Sequence, residues 1–318
     1  MSGLHVPARD IPVPTSIGPE AQAVLGGASI APVAEYPPLD DTDAWRAMIA
    51  AQTEMVVGFL TAQAKAVDAS YEWRDIDAAR FCVVTPNGCE DDRIVLELHG
   101  GALILMAGEA CAAMAVFAAA RSRKVTWGVD YRMPPDHPYP AALDDCVRVY
   151  RALLEETTPD RIVVSGGSAG GNLAAALMLR ARDEGLPMPA VLHLATPEID
   201  LTESGDTFQT NLGVDTVLGL LRPVNELYAA GHDLSHPYLS PLFGDVSGFP
   251  PTVLTSGTRD LFLSNTVRMH RSLRRAGVEA ELHVMEAAPH GGFMGMTPED
   301  AEVAADVRRF IDRYCPPR

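Results

Sequence analysis

The chain has 318 residues, with 42 acidic against 25 basic side chains and a formal net charge of −17. A surface of that sign repels a phosphate backbone, which excludes nucleic acid as the main partner. With 47% hydrophobic residues there is material for a large core, and the composition is neither disordered nor fibrous. The length admits two domains, although single α/β domains of this size are common.

Five cysteines (Cys82, Cys89, Cys111, Cys146, Cys315) cannot all pair, and none stands at metal-ligand spacing from another. They read as reduced, mostly buried thiols of a cytoplasmic protein. The opening MSGLHVPARDIPVP places prolines where a signal peptide needs an apolar run, so none is expected. The stretch Ala102 to Ala120 is interrupted by Gly108 and Glu109 and followed by Arg121. It reads as a buried strand end and a buried helix, because a spanning helix needs about 20 uninterrupted apolar residues.

In chain order, residues 1 to about 70 stand apart. The first 40 are rich in proline and lack periodicity, and Asp43–Val67 then reads as a helix opened by Asp41, Thr42 or Asp43 as cap. From Tyr71 onward short apolar runs alternate with helical ones. The expected strands are Tyr71–Ile76, Ala79–Thr85, Ile94–His99, Val125–Val129, Ile162–Ser165, Val191–Ala195, Val253–Ser256 and Ala280–Met285. Helices are expected near 108–122, 141–156, 169–184, 263–276 and 299–313. That alternation predicts an α/β fold with a mostly parallel sheet, the first two strands forming an antiparallel hairpin. Between Leu201 and Pro251 a long stretch carries helical pieces and no convincing strand. Together with residues 1–70 this insertion, about 201–250, is expected to form a helical cap over the catalytic unit 71–318.

The strongest chemical signal is Ile162-Val163-Val164-Ser165-Gly166-Gly167-Ser168-Ala169-Gly170. A β-branched run enters G-x-S-x-G and continues into an alanine-rich helix, the strand–turn–helix setting of a nucleophile elbow. Ser168 at a helix start places the N–H of Ala169 and the positive helix end beside its oxygen. No G-K-[ST] follows, and the spacing is not that of a dinucleotide loop. His99-Gly100-Gly101-Ala102 directly follows a strand, and paired glycines there let the Gly100 and Gly101 N–H groups point into a site as an oxyanion hole requires. A serine nucleophile needs a base and a group to orient it. His290, in a glycine-flanked loop after the last strand, and Asp260, just past the strand before it, complete the order Ser168, Asp260, His290.

These motifs resemble the bacterial hormone-sensitive-lipase-like branch (family IV) of the α/β-hydrolases, a group of carboxylesterases. HGGA at 99–102, DYRMPPDHPYPAALDD at 130–145, GGSAGGNLA at 166–174 and HGGF at 290–293 carry the resemblance, which runs from about residue 70 to the end. It departs at Ala102, in place of a third glycine, at Gly167 before the nucleophile, and at the second glycine after His290. The resemblance implies a mostly parallel eight-stranded sheet flanked by helices, no cofactor, no metal, and a small-molecule ester as substrate, of short to medium acyl chain. It also implies a possible homodimer through the last strand. Lactonase or amidase/deacetylase chemistry would use the same triad; a small-ligand receptor of this branch would lack the catalytic histidine. Asp130, Tyr131 and Arg132 are expected to hydrogen-bond locally. Glu198 and Asp200 read as loop or cap residues near the site mouth. The His232/His236 pair has no carboxylate backing for zinc, and Leu105, Met106 and Met114 read as core or pocket lining.

Overall fold

The computed structural model describes residues 3–29 and 35–318; the parts of the proline-rich segment at 1–2 and 30–34 lie outside them. Eight strands build one sheet: β1 (Ala69–Ile76), β2 (Ala79–Pro86), β3 (Ile94–Leu98), β4 (Val125–Asp130), β5 (Ile162–Gly167), β6 (Val191–Ala195), β7 (Thr252–Gly257) and β8 (Ala280–Met285). Their order is β1-β2-β4-β3-β5-β6-β7-β8. The β1–β2 hairpin is antiparallel as expected, β2 also runs antiparallel to β4, and every later neighbour is parallel. The expected mostly parallel eight-stranded sheet is the one observed.

The central strands are buried on both faces and alternate accordingly. Val95, Val163, Val191 and Val253 meet Val307, Phe310 and Ile311 of α9 (Pro298–Tyr314). Leu96, Val164, Leu192 and Leu254 face the other way, against α4 (Ala141–Glu156), α5 (Ala169–Asp183) and α8 (Leu263–Arg275). The alanine-rich α3 (Glu109–Ser122) lies on β2 and β4 so closely that a Cβ on Gly128 would come within 2.6 Å of the Ala115 methyl. Small residues permit that approach and bury the helix almost whole.

Two N-terminal helices precede the sheet. α2 (Thr42–Ala64) carries the expected cap, with the Asp41 side chain accepting the N–H of Ala44. α1 (Pro19–Gly27) was not expected, since two buried apolar residues, Ala21 and Leu25, give no readable periodicity. The helix is fixed by what it lands on: Ile17, Ala21 and Leu25 cluster with Ala287, Ala288 and Phe293. The 201–250 stretch contains α6 (Thr207–Thr210) and α7 (Arg222–Ala229) and no strand. Phe208, Leu221, Val224 and Leu227 from it pack with Trp45 of α2 and with Ile104, Leu261 and Phe262. None of the described helices is long and apolar enough to cross a membrane.

Candidate active site

The carboxyl ends of parallel strands carry the site, where loops leave the sheet and helix N-termini converge. At the end of β5, Ser168 adopts φ 56° and ψ −122°, and α5 begins at the next residue. A side chain in that conformation is strained, and its neighbours hold it there. The Ser168 N–H donates to the Ala195 carbonyl at 2.9 Å, while its own carbonyl accepts the N–H groups of Gly171, Asn172 and Glu198 at 2.9, 3.2 and 3.0 Å. The flanking glycines are required by close approach: a Cβ on Gly170 would collide with the Leu98 carbonyl, and one on Gly166 with the Gly170 carbonyl.

The loop after β3 lies against this turn. Strand β3 stops at Leu98 rather than at the expected His99, because the chain turns away at His99-Gly100-Gly101. A Cβ on Gly100 would stand 3.3 Å from the Cβ of Ser168. Gly101, at φ 118°, has the Leu105 carbonyl where a side chain would go. Among the described residues, the N–H groups of Gly100 and Gly101 donate to no protein acceptor, and Ala169 opens α5 beside them. Tyr131 braces the loop from below, donating its hydroxyl to the His99 carbonyl at 2.8 Å and stacking on the His99 ring. Asp130 accepts the Gly108 N–H at 2.8 Å, and Arg132 binds the buried Asp145 through two side-chain nitrogens at 2.9 and 2.8 Å. These three residues do bond locally, as expected.

Past β7, the fully buried Asp260 receives three hydrogen bonds. Oδ2 accepts the Ser256 hydroxyl at 2.6 Å; Oδ1 accepts the Phe262 N–H at 2.9 Å and Nδ1 of His290 at 3.0 Å. An Nδ1–H committed to a carboxylate leaves Nε2 of His290 with its lone pair free to take a proton. The ring packs edge-on to Phe262 at 5.0 Å. Both glycines after the histidine have positive φ, 77° at Gly291 and 76° at Gly292. The second glycine therefore serves a tight turn, which is closed when Asp300 accepts the Phe293 N–H at 3.0 Å. The structure joins His290 to Asp260; no hydrogen bond links the Ser168 hydroxyl to the imidazole, a contact often loose before substrate binds.

Residues 95–294 match a protein-family model described as the alpha/beta hydrolase fold. An esterase from Acinetobacter venetianus is 32% identical over 229 residues, covering 69% of this chain and 74% of that one. The crystal structure of esterase E25 superposes with a TM-score of 0.92 at 33% identity, over 98% of this chain and 99% of that one. An esterase of the bacterial hormone-sensitive lipase family follows with a TM-score of 0.78 at 26% identity, over 95% and 100%. The chain belongs to the bacterial hormone-sensitive-lipase-like carboxylesterases. It is a carboxylic ester hydrolase of the α/β-hydrolase fold.

Other polar groups of this esterase have different work. Ser165 and His193, opposite each other on β5 and β6, approach to 3.2 Å. They lie inside the sheet, His193 has no carboxylate bonded to it, and burial pushes its pKa down to about 4. The pair is a neutral cross-strand contact. Asp200 binds Thr202, Ser204 and Arg268, which makes it a loop anchor. Glu198 is buried behind the elbow with no well-formed hydrogen bond to either carboxylate oxygen among the described residues, and burial, with Glu203 nearby, pushes it up to about 8 against the weaker pull of the Asn225 amide. Below the glycine loop, donor atoms of His99, Cys111 and Asp130 fall within 4.8 Å of one another. Two of the three are engaged, His99 Nδ1 with the Gly100 carbonyl at 2.7 Å and Asp130 with Gly108, so the group reads as loop support. Ser256 escaped notice in the sequence; a serine four residues before an aspartate at a strand end was its only signal.

Proposed function

We propose that this carboxylesterase works through Ser168 as nucleophile, His290 as general base and Asp260 as the group that fixes the imidazole. Ser168 attacks the ester carbonyl as His290 Nε2 takes its proton, and the N–H groups of Gly100, Gly101 and Ala169 receive the developing oxyanion. His290 then protonates the departing alcohol, and water repeats the attack on the acyl-enzyme. The observation that carries this reading is the buried His290–Asp260 hydrogen bond at 3.0 Å, which sets the tautomer that the base needs. Residues 1–70 and about 201–250 together act as the cap, held by the packing of Phe208, Leu221, Val224 and Leu227 against Trp45 and Ile104, and the substrates are short- to medium-chain acyl esters. Five free thiols favour a reducing, cytoplasmic setting. The exposed edge of β8 is the face by which two copies would pair, to be checked by sedimentation.

The decisive experiment is hydrolysis of p-nitrophenyl esters from acetate to laurate by the wild type and Ser168→Ala. The variant is expected to lose at least about three orders of magnitude in kcat, and a serine-directed phosphonate is expected to label Ser168. Labelling at another residue overturns the assignment.

A further inference from the structure

Asp215 is a fully buried carboxylate in the segment between α6 and α7, and the chemistry above leaves it without a role. Oδ1 accepts the N–H groups of Val217 and Leu218 at 2.9 and 3.3 Å, which holds its own turn. The same oxygen accepts the N–H of His290 at 3.4 Å, and Oδ2 accepts the N–H of Leu261 at 2.8 Å. One side chain thus spans the loops of acid and base, gripping the residue beside Asp260 and His290 itself. All four donors are N–H groups and the carboxyl donates nothing, which is the inventory of the ionised form. Asn211 adds a neutral tie, donating from Nδ2 to the carbonyls of Asp260 and Thr258 at 2.9 and 3.2 Å.

From this geometry we infer that Asp215 is a positioning residue for the hydrolysis: it locks the acid and base loops together, and its charge supports the His290 imidazolium as it forms. The inference rests on the triad assignment above. Without the carboxylate, the N–H groups of Leu261 and His290 would be buried with no acceptor. The charged groups around the imidazole are few. Asp260 bonds Nδ1, and Asp215 lies against the backbone N–H. On the acid loop, Arg259 turns away to the Pro12 carbonyl at 2.9 Å. From α9, Asp300 binds Phe293. Burial raises the Asp215 carboxyl, while its N–H donors and His290 pull it back and Asp260 opposes them.

The test is the rate–pH profile with p-nitrophenyl butyrate for wild type, Asp215→Asn, Asp215→Glu, Asn211→Ala and Ser168→Ala, with a thermal melt of each. Asp215→Asn is expected to lower kcat about ten- to a hundredfold with KM within about threefold. The acidic limb of kcat/KM is expected to move down by about half a pH unit, because the imidazolium loses a nearby negative charge. Asn211→Ala, which loosens the same loop without removing charge, lowers kcat by a few-fold and leaves the limb in place. Asp215→Glu restores the limb. If Asp215→Asn does not melt cooperatively, Asp215→Ser, which leaves room for water on the two N–H groups, carries the same expectation. An unmoved limb, or an equal shift in Asn211→Ala, overturns the role of Asp215. Activity retained by Ser168→Ala overturns instead the triad on which it stands.

Discussion

The two halves of the site are built by different means. Around Ser168 the chain is shaped by backbone against backbone: Gly166 and Gly170 admit a strand and a helix to near contact, and Gly100 fits beside the serine. Around His290 it is shaped by side chains that reach across the fold: Ser256 onto Asp260, Asp215 onto two loops, Asp300 onto the turn after the histidine. Steric necessity is local and tolerates almost no substitution. A hydrogen-bonded brace is distributed and weakens by degrees.

Substitutions in each half should expose that contrast. The largest loss is expected from Gly170→Ala, whose methyl would enter the Leu98 carbonyl; overpacking against rigid backbone should cost on the order of 4 kcal/mol or prevent folding, read by urea unfolding. A variant that melts as the wild type would remove the steric account of the elbow. In the other half, Ser256→Ala strips one donor from a buried carboxylate and should cost about 2 kcal/mol of stability. It should lower kcat about tenfold with KM unchanged, since Asp260 would hold the imidazole less firmly. A changed KM with full kcat would contradict that role.

A further effect is expected behind the elbow, at Glu198, and it depends on pH. Its pKa in the folded chain is raised to about 8, so the folded state holds a proton that the unfolded chain releases at lower pH. Stability is therefore lost as pH rises from the ordinary carboxylate range towards about 8. Glu198→Gln should match the wild type in acid and become progressively more stable than it across that window, measured by melts at stepped pH. Equal melting curves at every pH would mean that the carboxyl finds a partner in solution.

What the sequence disclosed follows the same division. Strand positions were legible within one or two residues because Val/Leu alternation is a short-range pattern, and the tight turns at Ser168, Gly100 and Gly101 were legible because glycine spacing reports backbone crowding directly. Chain order alone suggested pairing Asp260 with His290, and the structure bonds the two side chains. Asp215 was not legible: it stands 46 residues from Leu261 and 75 from His290, inside a stretch with no strand pattern, and an aspartate there is indistinguishable from a turn residue. Sheet order was equally hidden, since nothing local states that β4 lies between β2 and β3. α1 was missed for a related reason, as its two apolar contacts acquire meaning only from Ala287, Ala288 and Phe293.

That last contact ties the start of the chain to nearly its end. The N–H of Gly18 also donates to Glu299 at 2.6 Å, and Pro12 receives Arg259. A contact between segments this far apart in the chain closes a long loop, whose entropic cost grows slowly with its length. The loop that carries His290 is thus held in part by a helix from the opposite end of the described residues.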